Sequence, residues 1–178
     1  MNTSKINNTS KINNTSKINN TSKINNTSKI NNTSKINNSN FIINLDREKS
    51  IVSIDVQNFE YKEDAFDEFL VLFESTWFLI KKENLICHLC INLENCQGNY
   101  NFPLQVYIKL ATCLSNLNEA FNSNCHGISI LTNDAERWGV IYNIILKLWY
   151  PPIRRPMLLT DNIAEIKLFI KTNKLIKE

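Results

Sequence analysis

Three glycines and four prolines serve 178 residues, and the scarcity removes whole classes of chemistry. Gly98, Gly127 and Gly139 stand too far apart for Gly-x-Gly-x-x-Gly or a Walker loop. Both loops need closely spaced glycines so that backbone N–H groups can close on phosphate, so nucleotide binding of that kind is excluded. The apolar runs are all shorter than the roughly 20 residues that span a bilayer, and no membrane span is expected. Met1 is followed by polar residues in place of a basic and then apolar leader, which points to a soluble, cytoplasmic chain. Five cysteines, an odd number, are then expected to be reduced thiols. Histidine is scarcer still: His88 and His126 are the only two.

What the chain has in excess is a perfect repeat. Six copies of Asn-Thr-Ser-Lys-Ile-Asn run from Asn2 to Asn37 without an acid or an aromatic. One apolar side chain per copy buries too little surface to offset the entropy of ordering, so residues 1–40 are expected to be a disordered tail. A hexapeptide β-helix would need at least three stacked repeats, and six hexads supply only about two coils. The Asn-Thr-Ser triplets match the glycosylation sequon, which matters only in a secreted chain. The six repeat lysines are twice the net charge of +3, leaving −3 on the remainder. A mildly acidic body, with a tail that has no arginine and no aromatic to stack on bases, is not expected to bind nucleic acid specifically.

From Phe41 the composition changes. "FIINLD" and "SIVSIDV" flank the polar stretch Asp46 to Ser50 and read as a β-hairpin. In "YKEDAFDEFLVLFESTWFLIKKE" the residues Phe66, Phe69, Leu70, Phe73, Trp77 and Ile80 recur at helical spacing. Acids at its front and Lys81 and Lys82 at its back suit the helix dipole. "NLICHLCINL" reads as a buried strand with Cys87, Leu89, Ile91 and Leu93 on one face and Ile86, His88 and Cys90 on the other. A helix from Pro103 to Phe121, the strand "GISIL", a helix opened by Asn133 and Glu136 and running to Trp149, the strand "PMLLT", and a closing helix capped by Asn162 and Glu165 complete the chain. The fold class is therefore α/β: a single layer domain over residues 41–178, ordered ββαβαβαβα, with a largely parallel sheet.

Little in this pattern carries chemistry. Cys87 and Cys90 are spaced as Cys-x-x-Cys, but residues three apart on a strand point to opposite faces, which disfavours a shared metal or a redox pair. His88, Cys96, Cys125 and His126 are the leftover ligand candidates, and no metal or other cofactor is expected. Cys96 and the Cys125-His126 pair fall at opposite edges of a parallel sheet, which separates a possible nucleophile from its base. Asp55, Glu60, Glu63, Asp64, Asp67 and Glu68 read as a solvated face rather than a magnesium site. Arg154 and Arg155 read as part of a polar connector.

Three stretches carry a family resemblance over residues 41–173: the hairpin–helix–strand–helix order, "INLENCQGNYNFPLQVYIKL", and "RPMLLTDNIAEIKLFI". The body resembles a STAS domain, the fold of bacterial anti-sigma factor antagonists, itself similar in outline to lipid-binding CRAL-TRIO domains. The resemblance implies a non-enzymatic protein-interaction module whose switch loop precedes the helix that opens at Pro103. The family's Asp-Ser-Ser-Gly is replaced here by Tyr100, Asn101, Phe102 and Pro103, so no phosphoserine switch is expected. The loop 94–102 and the helix after it would form the docking surface for a protein partner. Asn95, Gln97, Asn99, Tyr100 and Asn101 would supply polar contacts, and Phe102 would be an anchor or, by preference, core. No small-molecule ligand belongs to this first reading. One alternative is a small apolar ligand or lipid carrier with a cavity between sheet and helices, and another is a divergent enzyme using Cys96.

Overall fold

Alternating apolar positions place Phe41, Ile43 and Leu45 inward on one strand, and Val52, Ile54 and Val56 inward on the next. A computed structural model of the chain describes residues 33–37, 41–57, 61–96, 102–148 and 155–175, with 33–37, 146, 174 and 175 described through the backbone alone. The elements are β1 (Thr33–Asn37), β2 (Phe41–Asp46), β3 (Ile51–Val56), α1 (Glu63–Lys82), β4 (Cys87–Asn92) and α2 (Leu104–Asn116). They continue with α3 (Asn118–Asn124), β5 (Cys125–Leu131), α4 (Ala135–Leu148), β6 (Met157–Thr160) and α5 (Ile163–Leu175). The protein is α/β, with a mostly parallel sheet in the order β1-β2-β3-β4-β5-β6. The β1–β2 and β2–β3 pairs are antiparallel, and the pairs from β3 to β6 are parallel.

Several features differ from the sequence-based expectation. The last hexad forms β1 beside β2, inside the stretch assigned to the tail, because a bare sheet edge offers backbone partners that need no apolar side chains. Residues 1–32 lie outside the described residues. The expected helix from Pro103 to Phe121 is two helices, α2 and α3, divided at Leu117. Leu117 and Phe121 are both fully buried, and the turn between two asparagines lets both reach the core. The cap of α4 is Asp134 rather than Asn133: Arg137 N–H donates to Asp134 Oδ1 at 3.1 Å. Asn133 instead reaches back to the Glu94 carbonyl, and Trp149 lies outside the described residues.

Each parallel crossover steps the same way along the sheet, and crossovers of one hand then lay their helices on one face. Helices α1 to α4 pack against one another there, whereas α5 packs on β5 and β6 from the face that holds His88. Aromatic contacts fix α1 to that first face. Phe69 stacks on Phe41 of β2 with centroids 4.3 Å apart, and Trp77 lies 4.3 Å from Phe121 of α3. Lys109 of α2 pairs with Glu63 and Asp67 of α1, so part of the acidic stretch clamps two helices.

Turns use residues other than glycine for left-handed backbone. Asn84 (φ 52°) ends α1, with Leu85 N–H on the Ile80 carbonyl and Asn84 N–H on the Lys81 carbonyl. This double bond pattern closes a helix end, and asparagine tolerates the conformation. Ser50 (φ 58°) closes the hairpin, where Asp46 accepts from Lys49 N–H at 2.9 Å. At the front of α5, Asn162 Oδ1 accepts from Ala164 N–H. Glu165 does not close a capping box there: it accepts from the Thr160 hydroxyl, which in turn receives Asn162 N–H.

Gly127 is required for another reason. A Cβ added there would lie 2.9 Å from His88 Cε1 and 3.0 Å from Nδ1, closer than nonbonded atoms approach. His88 is fully buried and flanked by Phe169, so the ring has no free space to retreat into. Gly127→Ala is expected to lower stability by about 1–3 kcal/mol, read as a shifted urea midpoint with an unchanged m-value.

Candidate functional site

The same-face helices do not fill the space above the sheet. Leu89, Ile91 and Ile130 floor a partly open cavity of about 210 Å3. Phe69 and Phe73 of α1 wall one side, and Leu110 of α2 with Trp138 and Tyr142 of α4 wall the other. The wall presents only apolar surface. Leu89, Phe69 and Phe73 are buried, whereas Ile91 and Ile130 of the floor are half-buried together with Tyr107, Leu110, Trp138, Tyr142 and Ile145, so the cavity is partly open along α2 and α4. Phe102 forms part of the rim, edge-on to Tyr107 with centroids at 6.2 Å and tilted on Trp138 at 6.4 Å. Burial also pushes the Tyr142 hydroxyl above its ordinary pKa.

The residues expected to dock a partner are not assembled by what is described. Asn95 is exposed in the turn after β4, and Gln97, Asn99, Tyr100 and Asn101 lie outside the described residues. Phe102 is half-buried against the core cluster. The helix that follows shows a signal not weighed in the sequence: Leu104 is 62% exposed and Ile108 49% exposed, one turn apart. Their apolar spacing was legible, but they fall outside the stripe formed by Tyr107, Leu110, Ala111 and Leu114.

The thiols are all free, and Cys87 and Cys90 point to opposite faces as strand geometry requires, while Cys87 stands opposite Cys125 across β4 and β5. Cys87 joins the core on the helix-rich face, whereas Cys90 accepts a hydrogen bond from the Ser129 hydroxyl on the face under α5. Among the described residues no group of three His, Cys, Asp or Glu could hold a metal ion. Cys96 follows β4 at one end of the sheet, and Cys125 and His126 open β5 at the other. The Cys96 thiol points at the Val56 carbonyl, 3.8 Å away.

Register brings together a polar row that sequence reading did not find. With β4 beside β5, Cys90 stands opposite Ser129 and His88 opposite Gly127. Ser129 Oγ lies 3.1 Å from His88 Nε2 and 3.4 Å from Cys90 Sγ, and the His126 ring centroid is 5.3 Å from that of His88. A serine beside a histidine has the makings of a nucleophile and its base. Here both side chains have no exposed surface, so substrate has no path to the hydroxyl, and the row acts as a polar seam joining β4 and β5. Only the pairing register could have found it.

No protein-family model, curated protein or solved structure matches this chain. The site therefore has to be read from its own chemistry.

The cavity wall is apolar, and the thiols are held in the neutral form. Burial raises the thiol pKa of Cys96 to about 11 and those of Cys113 and Cys125 to about 12. A thiol whose pKa lies two units above its ordinary value has about a hundredth of the thiolate at neutral pH, and the greater nucleophilicity of that thiolate recovers only about tenfold. Alkylation of Cys96 by iodoacetamide at pH 7.5, followed by peptide mass spectrometry, is expected to run at least about tenfold slower than that of a free peptide cysteine. Its rate should climb as pH rises toward 11.

Proposed function

We propose that the protein binds one small apolar molecule in the cavity between the sheet and helices α1, α2 and α4, and acts as a carrier or sensor without chemistry of its own. The observation that supports this is the cavity itself: about 210 Å3 with a wholly apolar wall. Close-packed cores leave few voids larger than a water molecule, and an apolar void of about 150 Å3 is enough to take up benzene. The space here suits a ring bearing a short aliphatic substituent, or a short acyl chain. It falls below the roughly 300–1,000 Å3 of sites for drug-sized ligands, which argues for a small ligand and against a full lipid.

Without a polar anchor, affinity comes from burial alone. At about 0.8 kcal/mol per CH2, eight buried carbons give roughly 6 kcal/mol, so Kd is no tighter than about 20 μM. Titration calorimetry with n-butylbenzene and indole is expected to show saturable one-to-one binding, weakened at least tenfold by Leu110→Trp, which fills the cavity. Absence of binding up to the solubility limit, or equal affinity in the filled variant, would overturn the reading.

A second reading, the STAS-like docking module, is supported by a separate observation: the exposed Leu104 and Ile108 on the helix that follows the loop 94–102. A partner seated there would bury both side chains at about 25 cal/mol per Å2 of apolar surface. Leu104→Glu with Ile108→Glu should then abolish partner recovery in affinity capture while leaving n-butylbenzene binding intact. Recovery equal to that of the unaltered chain would remove the docking surface.

A further inference from the structure

β1 is the last of six identical hexads, and it fills the outer edge of β2. Its register pairs Thr33 with Asp46, Lys35 with Asn44, Ile36 with Ile43 and Asn37 with Ile42. The apolar position of the hexad thus stands opposite a buried isoleucine. Antiparallel pairing of this kind is held chiefly by main-chain hydrogen bonds, with cross-strand side-chain pairs setting the register. Every upstream copy repeats the same residues in the same order. Shifting the chain by six residues therefore restores every one of these pairs: Thr27 replaces Thr33, Lys29 replaces Lys35, and Ile30 replaces Ile36.

We propose that the edge of β2 is a strand-acceptor site for the Thr-Ser-Lys-Ile-Asn segment of the hexad, and that copies from the same chain occupy it interchangeably, with Thr27–Asn31 the first substitute for Thr33–Asn37. What changes between copies is the connection to β2. It is three residues (38–40) from the sixth copy and nine (32–40) from the fifth. Loop closure weakens as about the three-halves power of length, so the fifth copy competes at about one-fifth the weight of the sixth. The sixth copy dominates when intact, and the remaining copies keep the sheet edge covered when it is lost. An uncovered edge strand would offer β2 to other molecules for pairing.

Hydrogen exchange on the full chain tests this. Alternate N–H groups of an edge strand face its neighbour, so Lys35→Pro with Ile36→Pro removes a required donor in whichever phase β1 sits. The β2 amides that face β1 should then exchange no more than about fivefold faster than in the unaltered chain. The same pair of substitutions in all six copies should abolish their protection, with β4 and β5 amides as the internal control. Equal exchange in the two variants would overturn the proposal. Protection that rises with protein concentration would also overturn it, since the strand would then come from a second molecule.

A disulfide trap gives an independent reading without proline. Lys35→Cys with Asn44→Cys places two thiols opposite each other in the register of β1 and β2. Lys29→Cys with Asn44→Cys should crosslink within the monomer at about one-fifth the yield of the first pair. Crosslinking at 35 with none at 29 would show that the site accepts the sixth copy alone.

Discussion

The constraint on which this molecule depends is the constant direction in which its parallel strands advance. From β3 to β6 each strand pairs with the one before it, so the helices between them gather on one face. That face receives most of the large apolar side chains of the core, while among the described elements the other has α5 alone, over β5 and β6. The half-buried Ile42, Asn44, Ser53 and Asp55 along β2 and β3 follow from this asymmetry. A sheet with one dry face and one partly wet face needs strict alternation, and β2 and β3 show it.

Gathering helices on one face also explains the cavity. Each helix must rest on the sheet about 10 Å away and on its neighbours, and the trough between α2 and α4 is bridged by side chains from both. Contacts of Phe69 with Phe41 of β2, and of Phe73 and Trp77 with Phe121 of α3, hold α1 in place on the other side. An aliphatic floor with a fixed aromatic wall beside it leaves unfilled volume along α2 and α4. That volume, and not a polar constellation, is the feature of this fold on which the proposed ligand binding rests. The row of Ser129, His88 and the half-buried Cys90 shows the contrast: Ser129 and His88 have reactive atom types and no access.

Much of the architecture was legible because periodicity reports burial. The stripe from Phe66 to Ile80 specified α1, the alternation in "FIINLD" and "SIVSIDV" specified the hairpin, and the step from Cys87 to Cys90 placed those thiols on opposite faces. The misreadings fall where local patterns are degenerate. Leu114, Leu117 and Phe121 continue a helical stripe whether or not the helix bends at Leu117. Asn133 and Asp134 are both good caps, and the choice depends on Asn133 reaching the Glu94 carbonyl, a partner 39 residues away. The hexad was read as structureless because its own side chains bury little, and that reasoning is blind to an edge that β2 presents from elsewhere in the chain.

By itself the sequence determined the α/β class, the order of helices and strands from Phe41 onward, and the separation of Cys96 from His126. These depend on which face of an element is apolar, and that information is local. Tertiary structure alone decided that β1 joins the sheet, that Ser129 meets His88, that Lys109 clamps α1, and that a cavity opens between α2 and α4. Each of these arises from strand register or helix spacing, which are set by distant residues meeting in space and leave no periodic trace along the chain.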